Sequence, residues 1–174
     1  SIRHATTKLS HIHFTSNVKA KNIIKRLGEL DRNIYVIGSP EVDIMIKKDL
    51  PKIDTVKKRY NIKFDNYGIF LFHPVTTLKR NTVISQCKKL FSAIKKSKKN
   101  YIVIFPNNDK YSDIIFRCIH NLKNQERYKV LPSIRFEYYL TILKNSEFII
   151  GNSSSGVREA PVYGVRTRKF SLSL

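Results

Sequence analysis

From Tyr67 onward, short apolar segments alternate regularly with longer segments of helical periodicity. The segments at 68–72, 101–105 and 148–150 are continuously apolar, which predicts strands that are buried on both faces. Between the first two of them, residues 81–96 place apolar side chains at the helical spacing of three and four. Buried strands that are separated by amphipathic helices predict a doubly wound α/β domain with a parallel sheet.

The residues before Tyr67 predict further helices and strands, and they contain two closely spaced histidines. His11 and His13 would share one face of a strand at 11–14, but no third ligand lies near them in the sequence, and we expect no metal site. Cys87 and Cys118 lie in predicted helices without metal-like spacing, which indicates buried free thiols in a reducing cytoplasm. The predicted helices here are 2–10, 17–27, 42–48 and 53–60, and a second strand is predicted at 34–37.

The charge of the chain is strongly unbalanced, with 33 Lys+Arg against 13 Asp+Glu and a formal net charge of +20. Such an excess makes a nucleic acid or an anionic membrane a candidate partner. Nucleic-acid-binding surfaces combine basic residues with exposed aromatic side chains, whereas Phe91, within the lysine-rich segment 88–99, falls on the core side of its predicted helix. The pattern therefore favours a solvated lysine face, and nucleic-acid binding stays as an alternative.

No apolar segment approaches the roughly 18 residues that a membrane-spanning helix needs. With 41% hydrophobic and 26% charged residues, the composition is that of a globular protein and not of a disordered chain. We expect no membrane and no nucleic acid among the partners.

Polar residues follow three of the predicted strands, namely His73, Asn107 and the turn Asn152–Ser155. In parallel α/β sheets, ligands bind outside the carboxyl ends of the strands, so these residues are expected to converge at one edge. A histidine that precedes a proline is also common as a structural residue, so His73 has two interpretations at this point.

The turn after the last buried strand is bracketed by Gly151 and Gly156 and precedes a predicted helix. Unpaired amides at a helix N-terminus can bind an anion, and serine hydroxyls can add donors to it. The same serines are equally compatible with an ordinary helix cap. A P-loop is excluded, because Val157-Arg158 stands where that motif requires Lys-Ser/Thr.

A set of short motifs extends over nearly the whole chain. In order they are Ser1–Ala5 (SIRHA), Lys8–Phe14 (KLSHIHF), Gly38–Pro40 (GSP), His73–Thr77 (HPVTT), Phe105–Asn107 (FPN), Ser133–Tyr138 (SIRFEY) and Gly151–Pro161 (GNSSSGVREAP). Together they resemble the hydrolysing UDP-N-acetylglucosamine 2-epimerases of sialic-acid-type sugar biosynthesis. The resemblance covers residues 1–165 and about the second half of a family member.

The resemblance implies a Rossmann-like carboxy-terminal domain of a GT-B-type two-domain fold, in a cytoplasmic enzyme that forms homo-oligomers. It implies an interdomain or hinge segment with the start of this domain at 1–60 and the nucleotide-binding domain at 61–165. Residues 166–174 depart from the family pattern and are expected to be an aberrant or truncated tail. Loss of the last strands would expose a sheet edge and apolar surface, so we expect poor solubility and association.

The implied reaction eliminates UDP from UDP-GlcNAc to give a 2-acetamidoglucal, which is hydrated to N-acetylmannosamine without a metal or other cofactor. The catalytic carboxylates would lie outside this chain, so the chain alone is expected to be inactive. The residues carried over by motif are Ser153 and Ser154 for the diphosphate, Glu159 for the ribose hydroxyls, His73 for the leaving diphosphate, Asn107 and Arg135 for the nucleotide pocket, and Arg3 near the hinge, assisting the carboxylates.

Two alternatives stay open within this resemblance. The chain could be a catalytically inactive module that retains UDP binding. It could also derive from a relative that acts on UDP-diacetylbacillosamine or on a GDP-linked sugar.

Overall fold

The structure, a computed structural model, describes residues 2–46, 49–122 and 125–169. The chain forms two compact units, Ser1–Lys47 and Lys48–Leu174. The first unit ends within the segment 1–60, which was expected to hold the hinge and the start of the carboxy-terminal domain, and helix α4 (Ile53–Tyr60) packs against a helix of the second unit. Within the described residues, no helix is both long and apolar enough to cross a membrane.

The first unit contains a parallel pair of strands and three helices. They are α1 (Ile2–Leu9), β1 (His13–Thr15), α2 (Val18–Arg26), β2 (Ile34–Val36) and α3 (Pro40–Met45), with a 3₁₀ turn at Asp31–Asn33. Asn17 caps α2, since its side-chain oxygen accepts from the Ala20 N–H at 2.8 Å.

The two histidines of this unit have different environments, contrary to the expectation that they share a strand face. His11 precedes β1 and is exposed, whereas His13 is buried. The His13 Nε2 lies 3.3 Å from a carboxylate oxygen of Glu29. The hydrogen bond from Lys8 to the same carboxylate lowers the pKa of Glu29. A carboxylate partner therefore explains why a histidine is buried here.

The second unit is built on a five-stranded parallel sheet with the order β5-β4-β3-β6-β7. Its strands are β3 (Gly68–Leu71), β4 (Tyr101–Ile104), β5 (Tyr128–Leu131), β6 (Phe148–Gly151) and β7 (Arg166–Lys169). Its other helices are α5 (Arg80–Lys96), α6 (Ser112–His120), α7 (Phe136–Lys144) and α8 (Ser155–Arg158), with a 3₁₀ turn at Ala160–Tyr163.

Both faces of this sheet are covered, because neighbouring strand residues point to opposite faces and both are buried. Ile69 and Phe70 of β3 are each 0% exposed, and so are Ile102 and Val103 of β4. Phe70 packs with apolar residues of α5 and α6, while the Tyr67 hydroxyl donates to a backbone carbonyl of α7 at 2.9 Å. The doubly wound α/β fold expected from the sequence is confirmed.

The lysine-rich segment lies on α5 and the turn that follows it. Phe91 is 5% exposed and belongs to the core, whereas the lysines of this segment are exposed. The amphipathic interpretation of this helix is therefore confirmed.

Residues 166–169 continue the sheet, although they were expected to begin an aberrant tail. Strand β7 pairs in parallel with β6, with Phe148 opposite Arg166 and Gly151 opposite Lys169. Basic side chains do not prevent this pairing, because β7 lies at the edge of the sheet, where one side of a strand meets solvent. The remaining part of that predicted tail, 170–174, lies outside the described residues.

Candidate functional site

The order of the strands creates a switch point between β3 and β6. The chain runs from β3 outward through β4 to β5, and then returns by way of α7 to β6 on the other side of β3. Strands β3 and β6 pair in parallel up to Leu71 opposite Gly151, so the segments that follow them leave the sheet side by side. Ligands of open α/β sheets bind in the crevice at such a point.

His73 and Asn152 meet at this crevice through two hydrogen bonds. The backbone N–H of His73 donates to the side-chain oxygen of Asn152 at 2.7 Å. The side-chain nitrogen of Asn152 donates back to the His73 carbonyl at 2.8 Å. The histidine and the serine turn therefore lie at the same edge of the sheet, where the topology predicted them.

Gly151 allows the close approach that these bonds need. Its φ is +147°, and a Cβ at this position would lie 1.8 Å from the backbone oxygen of Leu71. A side chain of any size would therefore push β6 away from the end of β3.

The imidazole of His73 is half-buried and contacts the segment after β4. The backbone N–H of Asn107 donates to its Nδ1 at 3.4 Å. Burial lowers the pKa of His73, and the nearby carboxylate of Asp109 opposes that effect. A neutral ring that accepts at Nδ1 carries its proton on Nε2, which makes Nε2 a hydrogen-bond donor.

The three serines of the turn have different surroundings. Ser155 is buried, and its hydroxyl is hydrogen-bonded to the hydroxyl of Tyr139. The Ser153 hydroxyl accepts from the backbone N–H of Ser155 at 3.3 Å, and Ser154 is exposed. Only Ser153 and Ser154 therefore present hydroxyls that can contact a ligand.

The helix predicted after the turn, whose length the sequence pattern did not predict, is very short. Helix α8 is a single turn of 4 residues, Ser155–Arg158, and the Ser154 side chain makes no capping bond to it. The backbone N–H groups of Val157 and Arg158 both donate to the Ser154 carbonyl at 2.8 and 2.9 Å. A single turn has a weak dipole, so anion binding here depends on side-chain donors more than on a helix N-terminus.

Glu159 follows α8, and one oxygen of its carboxylate, Oε2, is buried without a hydrogen-bond partner among the described residues. The residue is 8% exposed, and no described residue hydrogen-bonds its Oε2. The pKa of Tyr139 is raised to about 12, chiefly because its hydroxyl is buried. The hydrogen bond to Ser155 opposes this rise, and the negative charge of Glu159 adds to it. A buried oxygen without a donor is costly, which makes it a candidate contact for a ligand hydroxyl.

The remaining site residues proposed from the motifs are exposed. Asn107 follows β4, and Arg135 precedes α7 with its guanidinium 5.7 Å from the centre of the Tyr138 ring. The strand that precedes Arg135, β5, lies two strands from β3, which is about 10 Å across the sheet. Arg3 lies on α1 in the first unit.

Two residues of this site were not assigned a role from the sequence. Asn152 was recognised as a polar residue at the sheet edge, but its pairing with His73 is a tertiary contact. Tyr139 was given no role at all, and no local signal indicates its bond to Ser155. Among the described residues, no three His, Cys, Asp or Glu side chains are grouped as metal ligands would be.

Comparison with known proteins identifies similar chains. The family model described as UDP-N-acetylglucosamine 2-epimerase matches residues 1–168. The chain is 44% identical over 166 residues to the UDP-N-acetylglucosamine 2-epimerase of Neisseria meningitidis serogroup B, covering 95% of this chain and 43% of that one. It is 31% identical over 170 residues to the GDP/UDP-N,N'-diacetylbacillosamine 2-epimerase (hydrolyzing) of Campylobacter jejuni, covering 94% and 43%.

Among solved structures, the UDP-GlcNAc 2-epimerase of Methanocaldococcus jannaschii in complex with UDP-GlcNAc and UDP is similar in fold. The TM-score is 0.66 at 21% identity, covering 92% of this chain and 45% of that one. The chain thus spans less than half the length of the relatives it matches.

Proposed function

Because the chain belongs to the UDP-N-acetylglucosamine 2-epimerase family, we propose that its second unit binds the UDP portion of a nucleotide sugar at the β3–β6 crevice. The whole enzyme would be a hydrolysing epimerase that converts UDP-GlcNAc to N-acetylmannosamine and UDP. The observation that carries this proposal is the pairing of His73 with Asn152 beside the serine turn.

The proposed reaction has two steps. A general base removes the proton from C2 while the C1–O bond to the diphosphate breaks, which gives a 2-acetamidoglucal and UDP. Water then adds across the double bond, with OH at C1 and H at C2, to give N-acetylmannosamine. No electrons are gained or lost overall, so the reaction needs no redox cofactor, and the base would be a carboxylate from outside this chain.

His73 and the two accessible serines would act on the leaving diphosphate. Negative charge grows on the bridging oxygen as the C1–O bond breaks, and donors that are already oriented stabilise that charge. The Nε2–H of a neutral His73 is one such donor, and the hydroxyls of Ser153 and Ser154 are two more. The contacts that hold the His73 backbone and Nδ1 support this role, because they limit the positions of the ring.

Glu159 would accept hydrogen bonds from the ribose hydroxyls. Its buried Oε2 supports this role, since a ribose hydroxyl would supply the hydrogen bond that no described residue supplies. Asn107 and Arg135 would line the nucleotide pocket, and Arg3 would assist the catalytic carboxylates.

The chain by itself is proposed to bind UDP without turning over UDP-GlcNAc. Two alternatives are kept: an inactive UDP-binding module, and a relative that acts on UDP-diacetylbacillosamine or a GDP-linked sugar. A proton NMR assay of the purified chain with each nucleotide sugar tests the proposed inactivity, and formation of N-acetylmannosamine from UDP-GlcNAc would overturn it.

Calorimetry with UDP tests the binding proposal. The Ser153→Ala/Ser154→Ala variant should bind UDP at least tenfold more weakly than the wild type, because about two hydrogen bonds to a charged ligand are lost. The matched control is Ser85→Ala/Ser92→Ala, in which both exposed serines lie on α5. The absence of UDP binding by the wild type, together with salt-sensitive RNA binding, would replace the proposal with the nucleic-acid alternative.

A further inference from the structure

We infer that Asn152 is a positioning residue, which fixes His73 at the β3–β6 crevice so that the imidazole and the serine turn face one diphosphate together. This inference rests on the proposed UDP binding. It concerns a residue to which neither the sequence motifs nor the family resemblance gave a role.

The side chain of Asn152 extends the pairing of β3 and β6 beyond their ends. Regular pairing stops at Leu71 opposite Gly151. One position later, the carboxamide of Asn152 accepts from the N–H of His73 at 2.7 Å and donates to its carbonyl at 2.8 Å. A carboxamide offers one acceptor and one donor group in the same plane, as a peptide unit does, so it can satisfy both groups of His73.

Few side chains could replace Asn152 in this arrangement. An ionised aspartate has the same shape, but it cannot donate and would set its negative charge against the His73 carbonyl. Alanine would leave the two backbone groups of His73 without these partners. The closeness of β6 and β3 at Gly151, where no Cβ fits, brings the carboxamide within reach.

The two hydrogen bonds from Asn152 to the His73 backbone also affect the His73 ring, because the ring makes a separate hydrogen bond whose geometry depends on the position of that backbone. Its Nδ1 accepts from the Asn107 N–H at 3.4 Å, which is a long and easily broken hydrogen bond. If the backbone of His73 shifts, this contact is lost, and with it the tautomer that presents Nε2–H. Asn152 on β6 therefore controls, through the His73 backbone, a contact that is made by the segment after β4.

The test compares Asn152→Ala with the wild type in two measurements. Calorimetry with UDP should show about tenfold weaker binding, as expected when two hydrogen bonds no longer orient the site. NMR titration of the histidine ring protons should show the His73 resonance, identified by its absence in His73→Gln, titrating closer to 6.5, the ordinary value.

The matched control is Asn100→Ala. The Asn100 side chain also donates to a backbone carbonyl, that of Asn66 at 3.0 Å, but it precedes β4 and so lies at the opposite edge of the sheet. In this control the UDP affinity should stay within twofold of the wild-type value. The midpoint of the His73 titration should stay within about 0.2 pH units, roughly the precision of such comparisons. If Asn152→Ala does not fold, Asn152→Ser takes its place with the same expectations.

The outcomes separate this inference from the proposed function. If the wild type binds UDP and Asn152→Ala binds it equally well with an unchanged His73 titration, the positioning role is wrong while UDP binding stands. If the wild type does not bind UDP, the proposed function fails, and the NMR titration still decides whether Asn152 holds His73. An equal loss of affinity in Asn100→Ala would show a general effect on stability and would also overturn the inference.

Discussion

His73 combines a half-buried imidazole with contacts that favour its neutral form. Because burial lowers its pKa, the unfolded chain binds more protons than the folded chain between the folded value and 6.5. The stability that depends on neutral His73 is therefore fully present above pH 6.5 and is lost as the pH falls through the lowered pKa. A bound diphosphate acts in the opposite direction, because a nearby anion favours the protonated ring.

We therefore predict that UDP binding near pH 6 is accompanied by proton uptake at His73. Calorimetry in two buffers with different ionisation enthalpies measures the number of protons. The uptake should disappear at pH 8, which lies above the ordinary range of an imidazole, so that the ring is neutral in the free and in the bound protein, and it should disappear in His73→Gln. The same uptake in His73→Gln would mean that another group titrates.

At Gly151 the backbone conformation and the contact with β3 both exclude a side chain. We predict that Gly151→Ala lowers the free energy of unfolding by on the order of 3 kcal/mol or more, since the new Cβ would meet the Leu71 carbonyl. Chemical denaturation measures the loss. The control is Gly164→Ala, which has a φ of +65° with nothing within 4 Å of the added Cβ and should lose only about 1 kcal/mol. Equal losses in the two variants would contradict the role of the clash.

At the level of elements, the turn after β6 and the edge strand β7 support each other. The Thr167 hydroxyl donates to the carbonyl of Gly156 at 2.8 Å, and a Cβ on Gly156 would lie 2.7 Å from Thr167 Cγ2. The single-turn helix α8 has few hydrogen bonds of its own, so this contact with β7 stabilises it from outside.

We predict that Thr167→Val lowers the free energy of unfolding by about 1 kcal/mol and weakens UDP binding slightly, because α8 loses its bond to β7. Thermal denaturation and calorimetry measure the two effects. Thr82→Val, an exposed position on α5, is the matched control and should change neither. A Thr167→Val variant as stable as the control would show that β7 does not support the turn.

At the level of the whole molecule, the two units differ in how completely they bury their apolar residues. Neither α1 nor α2 of the first unit has a buried residue, and Phe14 and Tyr35 are 67% and 51% exposed with ring centres 6.0 Å apart. A two-stranded sheet with one such exposed face is marginally stable by itself.

We predict that the chain self-associates through the first unit and that Phe14→Ser/Tyr35→Ser reduces this association. Sedimentation velocity over a range of concentrations measures the change. Val162→Ser, which removes an apolar side chain 42% exposed in the second unit, is the control and should leave the association unchanged. A wild type that sediments as a monomer at all concentrations would contradict the prediction.

Much of the second unit could be predicted from local patterns. Phe91 and its neighbours on α5 repeat at helical spacing, and β3 and β4 are continuously apolar, because each of these elements buries its own side chains. The strand at 166–169 was missed, since its Arg and Lys side chains resemble no buried strand and its pairing depends on β6. The helix predicted after the serine turn is present as α8, but its length could not be predicted, because the residues that follow it form a 3₁₀ turn instead of continuing the helix.

The amino-acid sequence alone determined the class of the fold, the helices and strands with strong periodicity, and the family, since these follow from short-range patterns and motifs. Tertiary structure decided which strands are neighbours and, through this, that Asn152 holds His73 although 79 residues separate them. It also decided which serines are accessible, because Ser155 is buried and its hydroxyl is bonded to that of Tyr139. A hydrogen bond between distant residues leaves no periodic signal in either segment, so only the folded chain reveals it.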